Sequence, residues 1–291
     1  MAVVFSGPGM VVNGPVPSPP RYSLLAAANI VDVAQIGVGP EIDGHWQGGV
    51  NVWPFPPDDA YTWDVCSSGT YRPKQDGGTI PLPQFGAFVA YLAETCTTRS
   101  VAGMTQEQYV QRAMTAFAAA EANAVEAEFA RGIALPGNPH LADASCTILN
   151  SGTATNARAG LSFLEDAIGG TGRAGMIHAT PGTVAGWSWG EGRVYAEGGR
   201  LQTLQGTPIA AGGGYLGAAP EPHTAPGTGT AWAWATGPVN ILRSEVILTP
   251  GTVKEAMDRG TNTITYRVER VYVVEWDTVL QSAVLIDWTT L

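Results

Sequence analysis

Gly212, Gly214 and Gly217 stand in the G-x-G-x-x-G spacing that cradles a pyrophosphate when a strand leads into it and a helix leaves it. Strand-like residues do precede them, in "RLQTLQGTPIAA". The stretch that follows, "AAPEPHTAPGTGT", carries Pro220, Pro222 and Pro226 and cannot continue as a helix. About twenty positions on, where a ribose-binding carboxylate belongs, stands "TAWAWAT", which has none. The glycines therefore read as a turn between strands, and no cofactor is expected.

The other reactive side chains are as scattered. His45, His140, His178 and His223 are not spaced with one another, with Cys or with Glu as a metal site requires, so no metal is expected. His178 lies in a strand and reads as a satisfied core or interface imidazole. Cys66, Cys96 and Cys146 fit no C-x-x-C spacing; their odd number favours free thiols, with a Cys66–Cys96 bridge across a hairpin as the alternative. No serine nucleophile on a strained elbow is expected. Glu121, Glu126 and Glu128 read as ordinary solvated or intersubunit charges, and "DRGTNT" at 258–263 as a helix stop at Gly260. No catalytic residue emerges, and the chain is read as a non-enzyme.

The elements that hold these residues say more. In 291 residues, 45% are apolar and only 14% charged, while Gly and Pro number 37 and 21. Such a chain can bury a core, and its uncharged surface suits a shell or interface protein as well as a loop-rich β domain. The net charge of −10, with Lys74 and Lys254 the only lysines, excludes a basic nucleic-acid grip. There is no basic n-region of a signal peptide and no apolar run fit to span a bilayer, so a cytoplasmic origin without membrane contact is expected.

Residues 1–30 carry one charge, Arg21, and five prolines, so they read as a disordered tail or an extended arm lying along another subunit, and their Val, Phe, Met and Tyr content favours the arm. From Ile42 to Arg99, short β-type runs ("GVNVW", "AYTWDV", "FGAFVAYLA") alternate with turn clusters. They read as a two-stranded excursion in which Trp46, Trp53 and Trp63 suit an interface or, equally, fill a local core. Thr105 and Gln108 form a capping-box pattern ahead of a helix running to Arg131. Its inner face is read as Tyr109, Ala113, Ala116, Phe117, Ala120, Ala124 and Ala127. A second helix, "TNARAGLSFLEDAIGG", buries Leu161, Leu164, Ala167 and Ile168. Strand "GMIHA" then leads to a helix capped by Thr180 with Pro181 at its first position. Gly198–Gly199 joins two strands, and "TAWAWATGPVNILRSEVILT", a short helix and the strands "NTITYRVERVYVVEWD" and "SAVLIDW" close the chain.

This order, with the phrases "RYSLLAAA", "AVEAEFARG", "GGRLQTLQGTPIAAGGGYLG", "AWATGPVNILRSEV" and "DRGTNTITYRVERVYVVEWD", resembles the major capsid proteins of tailed phages, in particular those of actinobacteria. The resemblance implies an α+β chain of the Hong Kong 97-like capsid fold. Its parts would be an N-terminal arm (1–40), an E-loop with flanking peripheral (P) domain strands (41–104), a spine-helix region (105–144), an axial (A) domain (145–235) and strands returning to the P domain (236–291). Gly212–Gly217 would then be a turn where backbones of adjacent subunits approach, and Trp46, Trp53, Trp63, Lys74, Tyr215 and Asn262 would be intersubunit contacts. Some members of the fold join an E-loop lysine to a neighbour's asparagine; Lys74 and Asn262 hold comparable places, though a lone lysine at a hairpin tip is more simply a solubilising charge.

By the same resemblance the chain would assemble with itself into hexamers and pentamers of an icosahedral head around double-stranded DNA, held without sequence-specific binding. Scaffold, portal or cement proteins would be further partners, and the virion its location after assembly in the host cytoplasm. The alternatives are an encapsulin-like compartment shell, a phage tail or decoration protein, and a secreted carbohydrate-active enzyme. The last two are disfavoured by the long helix and by the absence of a secretion signal and a placeable carboxylate pair.

Overall fold

The structure is a computed structural model, and it describes residues 15–32, 45–52, 83–97, 105–188, 192–261 and 263–290. Its axis is the long helix Gln106–Arg131. Thr105 and Gln108 start it as a full capping box, each side chain accepting the other's backbone N–H. Gly132 ends it in the left-handed conformation, at φ 58°. At 1.5 Å per residue it is roughly 40 Å long.

The buried stripe of this helix departs from expectation in its second half. Tyr109, Ala113 and Phe117 are buried, but from there the inner positions are Ala122, Val125, Glu126, Phe129 and Ala130, while Ala120 and Ala124 face solvent. An alanine face has too little apolar area to choose its own direction; Val125 and Phe129 bring more, and they orient the last turns.

Two sheets flank the helix. The first is built on the fourteen-residue strand Thr263–Trp276. Phe88–Thr97 pairs antiparallel along one edge of it, and Val239–Arg243, Ile247–Thr249 and Met257–Asp258 follow one another along the other. Asn29–Asp32 adds a parallel strand beside Val239–Arg243. This last pairing places part of the expected arm inside its own subunit, fastened further by the Asp32–Arg243 ion pair at 2.6 Å. The excursion between Asn51 and Gln84 is closed at its base by Val50–Asn51 against Gln84–Phe85. Residues 53–82, including the expected strand "AYTWDV", lie outside the described residues.

The second sheet has Thr230–Thr236 at its centre, between Met176–Ala179 and Gln281–Asp287, and continues through Pro208–Ala211 to the hairpin Val194–Glu197 and Arg200–Thr203. Gly198 and Gly199, at φ 57° and 83°, make that two-residue turn as expected. Thr230–Thr236 is buried at six of its seven positions. Trp232 and Trp234 enter the core shared with the long helix, whereas Ala233 and Ala235 enter the core under the helices Ala157–Gly169 and Pro181–Ser188. Small residues on one face and large ones on the other let two layers close on one strand.

The last strand corrects a second expectation. Gln281–Asp287 does not return to the first sheet but runs antiparallel to Thr230–Thr236 in the second. "DRGTNT" is also no helix stop: Asp258 pairs with Thr263, and its carboxylate accepts the Gly260 N–H at 2.8 Å, so the segment turns a hairpin. Among the described residues, no helix is long and apolar enough to cross a membrane.

Candidate functional site

Of the six residues expected at subunit contacts, Trp53, Trp63, Lys74 and Asn262 lie outside the described residues. Trp46 and Tyr215 are described, and both are enclosed by their own chain. Trp46 is 8% exposed, in the cluster that contains Phe85 and Trp276; Tyr215 is 1% exposed. Neither side chain is free to reach a neighbour, because each is spent on the subunit's own core.

Tyr215 belongs instead to a polar junction beneath the long helix. Its hydroxyl lies 3.2 Å from Nδ1 of His178, whose Nε2 lies 2.9 Å from the Thr236 hydroxyl. Phe129 closes over the imidazole edge-to-face, at 5.0 Å between centroids, and touches Trp276 of the first sheet in the same way at 5.1 Å. His178 is thus a satisfied core imidazole, as its strand position implied. Burial pushes its pKa down to about 3.

The glycine turn packs against the long helix of the same chain. A Cβ on Gly212 would fall 2.0 Å from the Glu126 carboxylate, and one on Gly214 would fall 2.5 Å from the Ala127 backbone nitrogen. Only glycine permits this approach, and the backbone approached is the subunit's own rather than a neighbour's. Gly217 differs: it has φ 73° and open space around it.

Glu126, expected as a solvated or intersubunit charge, is 1% exposed. Its Oε1 accepts the Leu24 N–H at 2.9 Å and its Oε2 the Gly214 N–H at 3.1 Å, so one carboxyl joins the N-terminal segment, the long helix and the glycine turn. Burial raises its pKa above the ordinary carboxylate range although both hydrogen bonds pull the other way. Glu128, also buried, accepts the N–H groups of Ala134 and Leu135 and folds the chain back after the helix. Glu121 holds Arg270 and Tyr272 of the long strand. Helical spacing from apolar neighbours was the available signal for Glu126 and Glu128: both fall on the stripe set by Val125 and Phe129.

Against the expectation of no serine elbow, the letters of one do occur, at 186–190, "GWSWG". Ser188 is the last residue of a helix, not the apex of a strand-to-helix turn, and its hydroxyl donates to the Val184 carbonyl at 3.0 Å. Among the described residues, no cluster of His, Cys, Asp or Glu could hold a metal ion. A surface concavity of about 910 Å³ runs along the first half of the long helix, lined by Val16, Leu92, Thr95, Gln111 and Arg112. Leu92 to Thr95 line it consecutively, as residues do along a strand's edge, since alternate side chains point to opposite faces. Among the described residues, Phe88–Thr97 pairs with the long strand alone, and this concavity lies beside it.

No protein-family model matches the chain, and no curated protein does. Solved structures match it along nearly its whole length. A chain of Mycobacterium phage Ogopogo is 14% identical with a TM-score of 0.54, over 96% of this chain and 96% of its own. The capsid of an empty GTA particle gives 14% and 0.51 over 97% and 94%, and Mycobacterium phage Che8 gives 10% and 0.50 over 99% and 97%. At these identities the likeness is one of fold, and it extends from end to end: the chain has the Hong Kong 97-like α+β fold of phage major capsid proteins.

Proposed function

We propose that this chain is a major capsid protein whose copies assemble into the hexamers and pentamers of an icosahedral phage head enclosing double-stranded DNA. The observation that carries the reading is the likeness of fold to the capsid of an empty GTA particle over 97% of this chain and 94% of that one, with a Mycobacterium phage Ogopogo chain alike over 96% of both. The charge of −10 accords with a wall that encloses DNA without gripping it.

In this reading the residues before about 40 form the arm, 41–104 the E-loop and its flanking strands, 105–144 the spine region, 145–235 the A domain and 236–291 the return. The last strand's place in the second sheet ties the chain's end to the A domain. The role is structural, and scaffold, portal or cement proteins are its further partners. Contact free energy comes from apolar area: at about 25 cal/mol per Å², 1,000 Å² is worth on the order of 25 kcal/mol before the entropy of association.

The test is the full chain expressed alone, analysed by size-exclusion chromatography and negative-stain electron microscopy. Shells, tubes or free capsomers are expected. A stable monomer at the chain mass of 30.3 kDa overturns the proposal. Shells that fill with a protein cargo rather than DNA in the native host would replace the phage head by a compartment.

A further inference from the structure

We infer that residues 10–13 of this chain add a strand to Phe88–Thr97 of their own subunit, on the edge away from the long strand. The inference concerns the single chain and stands independently of the shell reading. It departs from the expectation that the arm lies along another subunit.

The edge calls for cover. Phe88–Thr97 is ten residues long and, among the described residues, pairs with the long strand alone. Short length, lysine, proline or a bulge usually protects such an edge. Here Glu94 is the only charged residue of the ten, none is Lys or Pro, and the Glu94 carboxylate is turned to Arg112 of the long helix. Beside 92–95 lies the concavity of about 910 Å³, whose other wall is the long helix at Gln108, Gln111 and Thr115. The space between strand edge and helix suits an extended chain.

The occupant follows from where the described chain enters this space. The N-terminal segment is rooted by the Tyr22 carbonyl, which accepts the Ala211 N–H at 2.7 Å, and by the Leu24 N–H on Glu126. Pro17 and Pro19 line a second concavity with Val246 and Arg270, on one flank of the helix. Pro15, Val16 and Pro17 line the first, with 92–95, on the other flank. Traced toward its beginning, the chain therefore crosses the helix over Gln111 and Thr115, which line both, and comes down to the strand edge at Pro15. Residues 15–20 are exposed and make no hydrogen bond with another described residue, so this crossing has to be held at its ends.

Residues 1–14 lie outside the described residues. Their sequence, "MAVVFSGPGMVVNG", has no charged side chain and sets "MVVN" between Gly9 and Gly14. Val11 and Val12 favour a strand, and the glycines permit turns at either end of it. Four extended residues span about 13 Å, the length of 92–95. Gly14 alone separates the run from the wall of the concavity, so its effective concentration there exceeds that of the same run on a neighbour. Main-chain hydrogen bonds would give the affinity, and an uncharged run suits a site whose Glu94 and Arg112 are already paired.

The test places benzoylphenylalanine at position 12 of the full chain. Light and nitrogen-15-labelled chains are unfolded, mixed equally, refolded and irradiated, and cross-links are read by mass spectrometry. Links to 88–97 or 107–116 within chains of one isotope are expected. Links joining light to heavy chains, links to other elements, or none overturn the proposal. A monomer with the expected links keeps it while overturning the shell reading. Hydrogen exchange tests it without refolding, in Val11→Pro and Val12→Pro made singly. Adjacent N–H groups of a strand point to opposite sides, so one of the two variants loses a pairing bond. In that variant exchange of 88–97 is expected to rise roughly threefold to tenfold, with 281–287 unchanged. No change in either variant overturns the proposal.

Discussion

Tyr272 and Glu121, 151 positions apart, meet in a hydrogen bond of 2.7 Å from phenol to carboxylate, and the Arg270 guanidinium approaches the same oxygen at 3.2 Å. This contact fixes the long helix to the long strand and so sets the angle between the two longest elements. Glu121→Ala leaves a buried hydroxyl and a mostly buried guanidinium without this acceptor. The expected loss is about 2–4 kcal/mol of unfolding free energy. Urea unfolding measures it, and Glu121→Gln, which keeps one acceptor oxygen, should lose less.

Gly214 and Gly217 should separate close approach from backbone conformation. In Gly214→Ala the new Cβ meets the Glu126 Cβ at 2.3 Å and the Asn123 carbonyl at 2.7 Å, so the turn must lift from the helix. Gly217→Ala meets nothing and bears only the left-handed backbone, worth roughly 1–2 kcal/mol. Thermal unfolding of both variants is expected to rank Gly214→Ala as the more damaging, with increased hydrogen exchange at Leu24 in that variant alone.

His178 makes stability sensitive to acid. Its folded pKa of about 3 lies below the ordinary value of 6.5, so the unfolded chain takes up the proton first. Stability from this group is complete above 6.5 and declines as pH falls toward 3. Denaturant midpoints measured between pH 7 and 4 should drop in the wild type. His178→Asn, less stable at pH 7, should show a shallower drop. Glu126, whose pKa burial raises, contributes with the opposite sign.

Cys146 should be chemically silent in the folded chain. It is 7% exposed, and burial, aided by the charge of Asp143, pushes its thiol up to about 12. Labelling with a maleimide at pH 8, followed by mass spectrometry of the Cys146 peptide, is expected to give little modification before denaturation and complete modification after it. Rapid labelling of native protein would mean that the 141–147 region opens readily.

Elements coded by neighbouring residues were legible in the sequence. The capping box at Thr105 and Gln108, the Thr180–Pro181 helix start and the Gly198–Gly199 hairpin each involve groups a few positions apart. Local sterics and local hydrogen bonds suffice for such features, and their order carried the resemblance to the capsid fold.

What depends on distant partners was decided by the tertiary structure. Ala120 and Ala124 turn outward because Val125 and Phe129 have more apolar surface to bury, and that choice carries Glu126 inward. Glu126 then becomes bearable only because Leu24 and Gly214 arrive with N–H groups, a condition that no window of the sequence contains. Gln281–Asp287 reads as a strand in any context, but its sheet was settled by a vacant edge beside Thr230–Thr236. Tyr215 could serve a neighbour or its own core until His178 and Phe129 enclosed it. Local propensity specified which elements form. Burial, which is a property of the whole chain, specified which face of each element is inside.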